Sequence, residues 1–204
     1  TFFAVAFANT VFLGFPVIEA LYGADVIFIA AISNIPFNLM AYTVGLGAVR
    51  GGVKGLTVRK ALAPPLVASL LAVLLFLSGI EVPKFVSDAF GTMSGATIPM
   101  SMLIVGTSLG SVSLKSAAGN WRVYAVVAIK LLVAPVVVWF VTRLFVTDEM
   151  LLGVTVILAS APTAMIATLF AIECGRDEGY ASECVFIGTV LSAVTMPIMI
   201  WLLL

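Results

Sequence analysis

Two short segments place polar side chains and a proline inside apolar sequence: Asn9-Thr10-Val11-Phe12-Leu13-Gly14-Phe15-Pro16 and Ser160-Ala161-Pro162-Thr163. Proline has no backbone N–H and its ring collides with the carbonyl four residues back, so Pro16 frees the carbonyl of Phe12 and Pro162 that of Leu158. Two helices broken at these places in mid-membrane turn the N–H groups and positive dipole ends of their inner halves toward one another. That setting suits a carboxylate where water is scarce. The ordinary alternative is a proline kink satisfied by neighbouring helices. Asn9 adds an amide that can donate to an anion or bond a partner helix. Asn34 and Asn38, four residues apart, share one helix face and can either wall a polar cavity or pair structurally.

Lys130 is the one ionisable residue deep in an apolar stretch. Counted from Trp121 at about 1.5 Å per residue, it lies about 14 Å into a hydrocarbon core about 30 Å thick. A charge there costs about 2.5–3.5 kcal/mol on insertion scales, so it must face an anion, an acceptor or water. Its role is then either to balance a substrate carboxylate or coupled proton, or to stand as a fixed structural cation; snorkelling from a helix that starts later is the third reading. Glu173 and Glu183 fall near span ends and read as solvated. The chain has no His, and no paired intramembrane carboxylates, Gly-x-Ser-x-Gly elbow or glycine-rich phosphate loop. No enzyme activity, catalytic residue, metal site or cofactor is expected. Cys174 and Cys184 flank a short polar loop and read as reduced thiols.

The elements that must position these residues follow from composition. Of 204 residues 62% are hydrophobic and 10% charged, against about half and a quarter in soluble domains. The solvent is therefore a bilayer. With about 20 apolar residues per crossing, the chain holds about seven spans, near 1–22, 26–48, 61–79, 85–110, 121–145, 150–172 and 180–204. All should be helices, since open strand edges facing lipid leave polar groups unpaired, and period-2 alternation for a barrel is absent. Ten basic residues balance ten acidic ones without a dense basic run, which excludes nucleic acid as a partner. The opening residues carry no Met or basic leader and read as the interior of a longer reading frame. Within the fourth span, the small residues of 95–109 predict close helix packing.

Charges divide the connections. Arg50, Lys54, Arg59, Lys60, Lys115, Arg122 and Arg176 fall on one side, and Lys84 and Arg143 on the other with Glu19, Asp25, Glu81, Asp88, Asp148 and Glu149. Positive-inside asymmetry puts the first side in the cytoplasm, so the chain begins inside and ends with its C-terminus outside. The interrupted spans one and six run in opposite directions. Each is followed by a span with internal polar residues and a proline (Pro36, Pro197), the pattern of an inverted-repeat transporter.

The run from Asn9 to Pro16 and on to Leu21-Tyr22-Gly23 resembles the Asn-Thr-x-x-x-Gly-x-Pro segment of the auxin efflux carrier family, which includes plant auxin exporters and bacterial malonate and malate permeases. Pro99 with Ile104-Val105-Gly106-Thr107-Ser108-Leu109, Lys130 with Pro135, Ala161-Pro162, and the stretch from Thr189 to Pro197 match in the same order. The resemblance implies an all-α integral membrane bundle like the bile-acid transporters, with ten helices in two inverted repeats and two Pro-broken helices crossing at the substrate. This chain then starts at the fourth helix: 1–48 are the last two helices of the first repeat, 49–60 a basic cytoplasmic loop, and 61–204 the second repeat. The implied function is secondary transport of a small organic anion, a mono- or dicarboxylate; the short loop at 49–60 points to a bacterial inner membrane. Its binding residues would be Asn9, Thr10, Gly14, Pro16, Asn34, Asn38, Lys130, Ser160, Ala161, Pro162 and Thr163. H+ or Na+ is the candidate coupling ion and a homodimer the candidate assembly. The rival reading is a truncated, non-transporting membrane subunit.

Overall fold

The computed structural model describes residues 2–51, 64–80, 82–110 and 119–204. Lys54, Arg59, Lys60 and Lys115 of the expected basic side, Glu81 of the opposite side, and most of the 49–60 loop lie outside the described residues. Within them the chain is an all-α membrane bundle with no named strand. We number its helices α1 (Phe2–Ala6), α2 (Thr10–Tyr22), α3 (Ala24–Arg50), α4 (Pro64–Ser78), α5 (Lys84–Gly110), α6 (Trp121–Phe145), α7 (Glu149–Ser160), α8 (Ile166–Glu173) and α9 (Glu178–Leu203). α3, α6 and α9 are long and apolar enough to cross a membrane, and α2 and α7 are shorter apolar helices. The α1–α2 and α7–α8 pairs are each two helical pieces separated by a short non-helical stretch.

Local chemistry sets the ends. Asp148 and Asp177 cap α7 and α9, each Oδ1 accepting a backbone N–H three residues on, at 2.8 and 2.9 Å, and so satisfying one of the orphan donors of a helix start. The turn between α8 and α9 contains Gly175 at φ +60°, a left-handed conformation natural to glycine. Beside it, the Arg176 guanidinium donates to the carbonyls of Val49 and Arg50 at 2.9 and 3.1 Å, closing the end of α3. Three helices carry a π-helical turn, at Thr10–Gly14, Ala41–Gly45 and Ile129–Val133. Two of these turns stand just before Pro16 and Pro135, where a shifted hydrogen-bond register accommodates the missing N–H.

The first break differs from expectation. The chain unwinds at residues 7–9, whereas Pro16 lies inside the helical run of α2, at the start of its α-helical part. In the second, α7 stops at Ser160 and Pro162 stands in extended chain beyond it.

Apolar packing gathers on both sides of these breaks. One cluster joins Ile18, Ala30, Val154, Ile157 and Met196 of α2, α3, α7 and α9. A second joins Phe3, Phe7, Leu46, Phe170 and Val185 around the α1 and α8 halves, and a third packs α1 on α6 and α9 through Ala4, Val127, Leu131 and Ile187. α4 and α5 stand apart. α4 touches α3, with the rings of Phe28 and Phe76 at 4.7 Å, and α5 meets the first turn of α2. No residue of either whose burial is described is buried. Of the close packing expected of 95–109, Gly95 shows none among the described residues: a Cβ there would meet nothing within 4 Å.

Candidate functional site

Extended backbone inside a membrane bundle must find partners within the protein, because hydrocarbon offers none. Residues 7–9 and 162–164 find them in each other. They run antiparallel with Ala8 opposite Thr163; the Asn9 N–H donates to the Pro162 carbonyl at 2.7 Å and the Ala164 N–H to the Phe7 carbonyl at 3.0 Å. The Thr163 hydroxyl donates to the Ala4 carbonyl at 2.8 Å, serving one of the orphan acceptors at the end of α1. Pro162 drives this geometry on its own strand by excluding Ala161 from the helical region; Ala161 has φ −64° and ψ 145°. On the other strand Asn9 leaves the helix at φ −79°, ψ 67°, and its carbonyl accepts both the Leu13 and Gly14 N–H groups at 3.3 Å. α2 restarts there.

Four half-helix ends therefore meet: the carbonyl ends of α1 and α7 and the N–H ends of α2 and α8. The end of α7 receives Lys130, whose Nζ donates to the Ala159 carbonyl at 3.4 Å. Lys130 is 3% exposed, so it does not snorkel. Close by, the Thr10 hydroxyl donates to Asn34 Oδ1 at 2.8 Å, both groups buried. Asn9 is buried, and its Nδ2 has no hydrogen-bond partner among the described residues. An unmet buried donor costs about 1–3 kcal/mol, a cost that an incoming acceptor would remove.

Beside the crossing lies a cavity of about 500 Å³ between α1–α2, α3, α6 and α7. Thr10, Ser33, Asn34, Lys130 and Thr155 are its polar lining in walls otherwise apolar, such as Phe37 and Val133. Of the residues singled out from sequence, Thr10, Asn34 and Lys130 line it. Ser160, Ala161, Pro162 and Thr163 are fully buried in the crossing, with the Ser160 hydroxyl turned back onto the Val156 carbonyl at 2.8 Å. They build the site instead of lining the cavity. Gly14 lets α2 approach α7, since a Cβ there would sit 2.9 Å from Leu158 Cδ2. Pro16 and Asn38 do not line the cavity, although the Asn38 amide nitrogen has no partner among the described residues.

A second cavity, of about 1,080 Å³, opens at the end of the bundle where Arg122 and Arg176 lie, and reaches in to Ala4 and Val126. The first cavity begins at the next residue of α1, Val5, and less than a turn further along α6, at Ile129. At the opposite end of the bundle Arg143 and Glu149 form an exposed ion pair at 3.3 Å.

Sequence reading missed Glu183. Expected to be solvated, it is 8% exposed, and its Oε2 accepts from Asn120 Nδ2 at 3.2 Å. A signal was present: Glu183 stands four residues before Ile187 and beside Cys184, Gly188, Ser192 and Met196, which recur at spacings of four on the buried face of α9 together with Val185, Thr189 and Met199. Among the described residues no group of His, Cys, Asp and Glu could hold a metal. A buried ammonium, amide and hydroxyl around an apolar cavity can hold an anion.

Comparison with known proteins identifies membrane transporters as relatives. Residues 48–200 match the family described as Membrane transport protein. An uncharacterized transporter of Methanothermobacter thermautotrophicus is 30% identical over 198 residues, covering 96% of this chain and 65% of the relative. An uncharacterized transporter of Methanocaldococcus jannaschii is 26% identical over 203 residues, with the same coverage. The chain thus spans about 65% of the length of these relatives. With its two broken helices crossed and its sequence matched over most of its length, the chain belongs to the membrane transport protein family, as its likeness to the auxin efflux carriers implied.

Proposed function

We propose that this chain forms the substrate-holding bundle of a secondary transporter for small organic anions, mono- or dicarboxylates, and is a carrier, not an enzyme. The observation that carries the reading is the buried Lys130 ammonium at the broken end of α7, facing the same cavity as Thr10 and Asn34. A carboxylate there exchanges the weak Ala159 contact for a charge-assisted bond, the stronger kind, and the N–H end of α2 adds a favourable field. Rocking or sliding of the bundle would carry the anion across. The antiparallel crossing supports the inverted-repeat division at 1–48 and 61–204. The gathering of Arg50, Arg122 and Arg176 at one end supports a cytoplasmic placement of that end and an external C-terminus. A bacterial inner membrane and a homodimer remain part of this proposal.

The test is counterflow in liposomes that contain the full-length protein and are loaded in turn with malonate, malate or lactate. Wild type should exchange at least one of them. Lys130→Gln should weaken apparent affinity by about 1.5–3 kcal/mol, the worth of a hydrogen bond to a charged group, while Lys130→Arg separates a fixed charge from one that must lose its proton. Exchange of none of the three by wild type, or full affinity in Lys130→Gln, would count against the reading. For orientation, a Cys at Gly52 should be shielded from an impermeant thiol reagent in intact cells and one at Val82 labelled.

A further inference from the structure

Among the described acidic residues Glu183 alone is buried; Glu19, Asp25, Asp88, Asp148, Glu149, Glu173, Asp177 and Glu178 are all exposed. An ionisable group buried in a membrane helix marks a functional site by default, and this one has no part in holding the anion. Its partner, Asn120, stands at the start of α6 and lines the cavity at the Arg-rich end. The carboxylate is thus one hydrogen bond from that opening. α6 also carries Lys130, ten residues on and about 15 Å deeper, so the partner of the carboxylate and the ammonium of the anion site belong to one helix. An amide suits both states of a carboxyl group: its NH2 donates to the carboxylate, and after a half-turn its carbonyl accepts from the protonated form.

From this placement we infer that Glu183 is the proton-binding site that couples anion movement to H+, an inference that rests on the anion-carrier reading above. A proton from water in the Arg-rich cavity adds to one Glu183 oxygen and forms an O–H bond. The bundle then moves with a neutral carboxyl, and the proton returns to water on the far side. No other bond is made or broken, and the proton offsets one negative charge of the anion. Carrying the ionised carboxylate out of water would instead cost several kcal/mol. The titratable and charged groups on the packed elements are Tyr180 and Cys184 with Asp177 and Glu178 at the start of α9, Arg122, Tyr124, Lys130 and, at its far end, Arg143 on α6, Glu173 and Cys174 at the end of α8, Arg176 in the turn, and Asp148 and Glu149 at the far end of α7.

The experiment uses full-length protein in liposomes that enclose a pH-sensitive dye, with malonate, malate or lactate added outside and protein-free vesicles as the baseline. Net uptake of a carried anion by wild type should acidify the lumen. Glu183→Gln should lose that acidification by about tenfold, inside the usual range of about 5–150-fold for coupled sites. It should keep exchange of the labelled anion, which needs no net proton movement. Acidification unchanged in Glu183→Gln overturns the inference. So does loss of exchange together with acidification, which assigns Glu183 a structural role. Wild-type exchange without acidification overturns it while leaving the anion carrier standing; absence of exchange of all three anions by wild type removes both.

Discussion

The two breaks look alike as extended strands and arise differently. The strand at 162–164 is set by its own sequence, because Pro162 excludes Ala161 from helix and so ends α7. The strand at 7–9 contains no proline and follows the helical residues of α1 directly. What holds it open is the other strand: two bridging hydrogen bonds and the Thr163 hydroxyl on the Ala4 carbonyl. One break is intrinsic and the other is induced. A proline near an interrupted helix therefore does not locate the interruption, as Pro16 illustrates.

This difference is open to measurement. Thr163→Val keeps the shape of the side chain and removes its bond to Ala4, leaving a buried acceptor unmet; the expected loss is about 1–3 kcal/mol, read from thermal unfolding in detergent. The effect should fall on the induced strand, as faster hydrogen exchange in α1. Exchange that quickens only in α7 and α8 would mean that the first strand holds itself. Pro162→Ala frees Ala161 and lets α7 extend by a residue or two. We expect about 1 kcal/mol, roughly a fivefold change in an opening equilibrium, with weaker anion binding and normal membrane insertion. Pro16→Ala should change stability by less than about 0.5 kcal/mol, the ordinary range for substitutions away from a special feature, and leave transport intact. Equal damage from Pro16→Ala and Pro162→Ala would erase the distinction between the breaks.

What could be read from sequence was what a single helix decides for itself. Spans are legible because a bilayer demands about 20 apolar residues from each, and α3, α6 and α9, the described helices long and apolar enough to cross, fall within two residues of the expected 26–48, 121–145 and 180–204. Lys130 is legible because a charge so deep needs a reason. The position of the first break was hidden because its determinants lie in a segment about 155 residues away. Glu183 was misjudged because distance from a span end was taken for exposure, whereas its neighbours on α9 put it on the buried stripe. The small residues of 95–109 promise close contact, yet a Cβ at Gly95 would meet nothing within 4 Å among the described residues. Composition alone predicts close packing without saying which helix supplies it.

The crossing also imposes an order in time. Ala4 and Thr163 are 159 positions apart, and at about 5–20 residues per second a ribosome needs roughly 8–30 s to make the chain between them. Throughout that interval the first strand has no native partner, and water, lipid headgroups or the insertion machinery must hold its carbonyls. The earliest described helix pair thus cannot be completed when it is made, and its correct assembly waits on a segment 159 positions later in the chain.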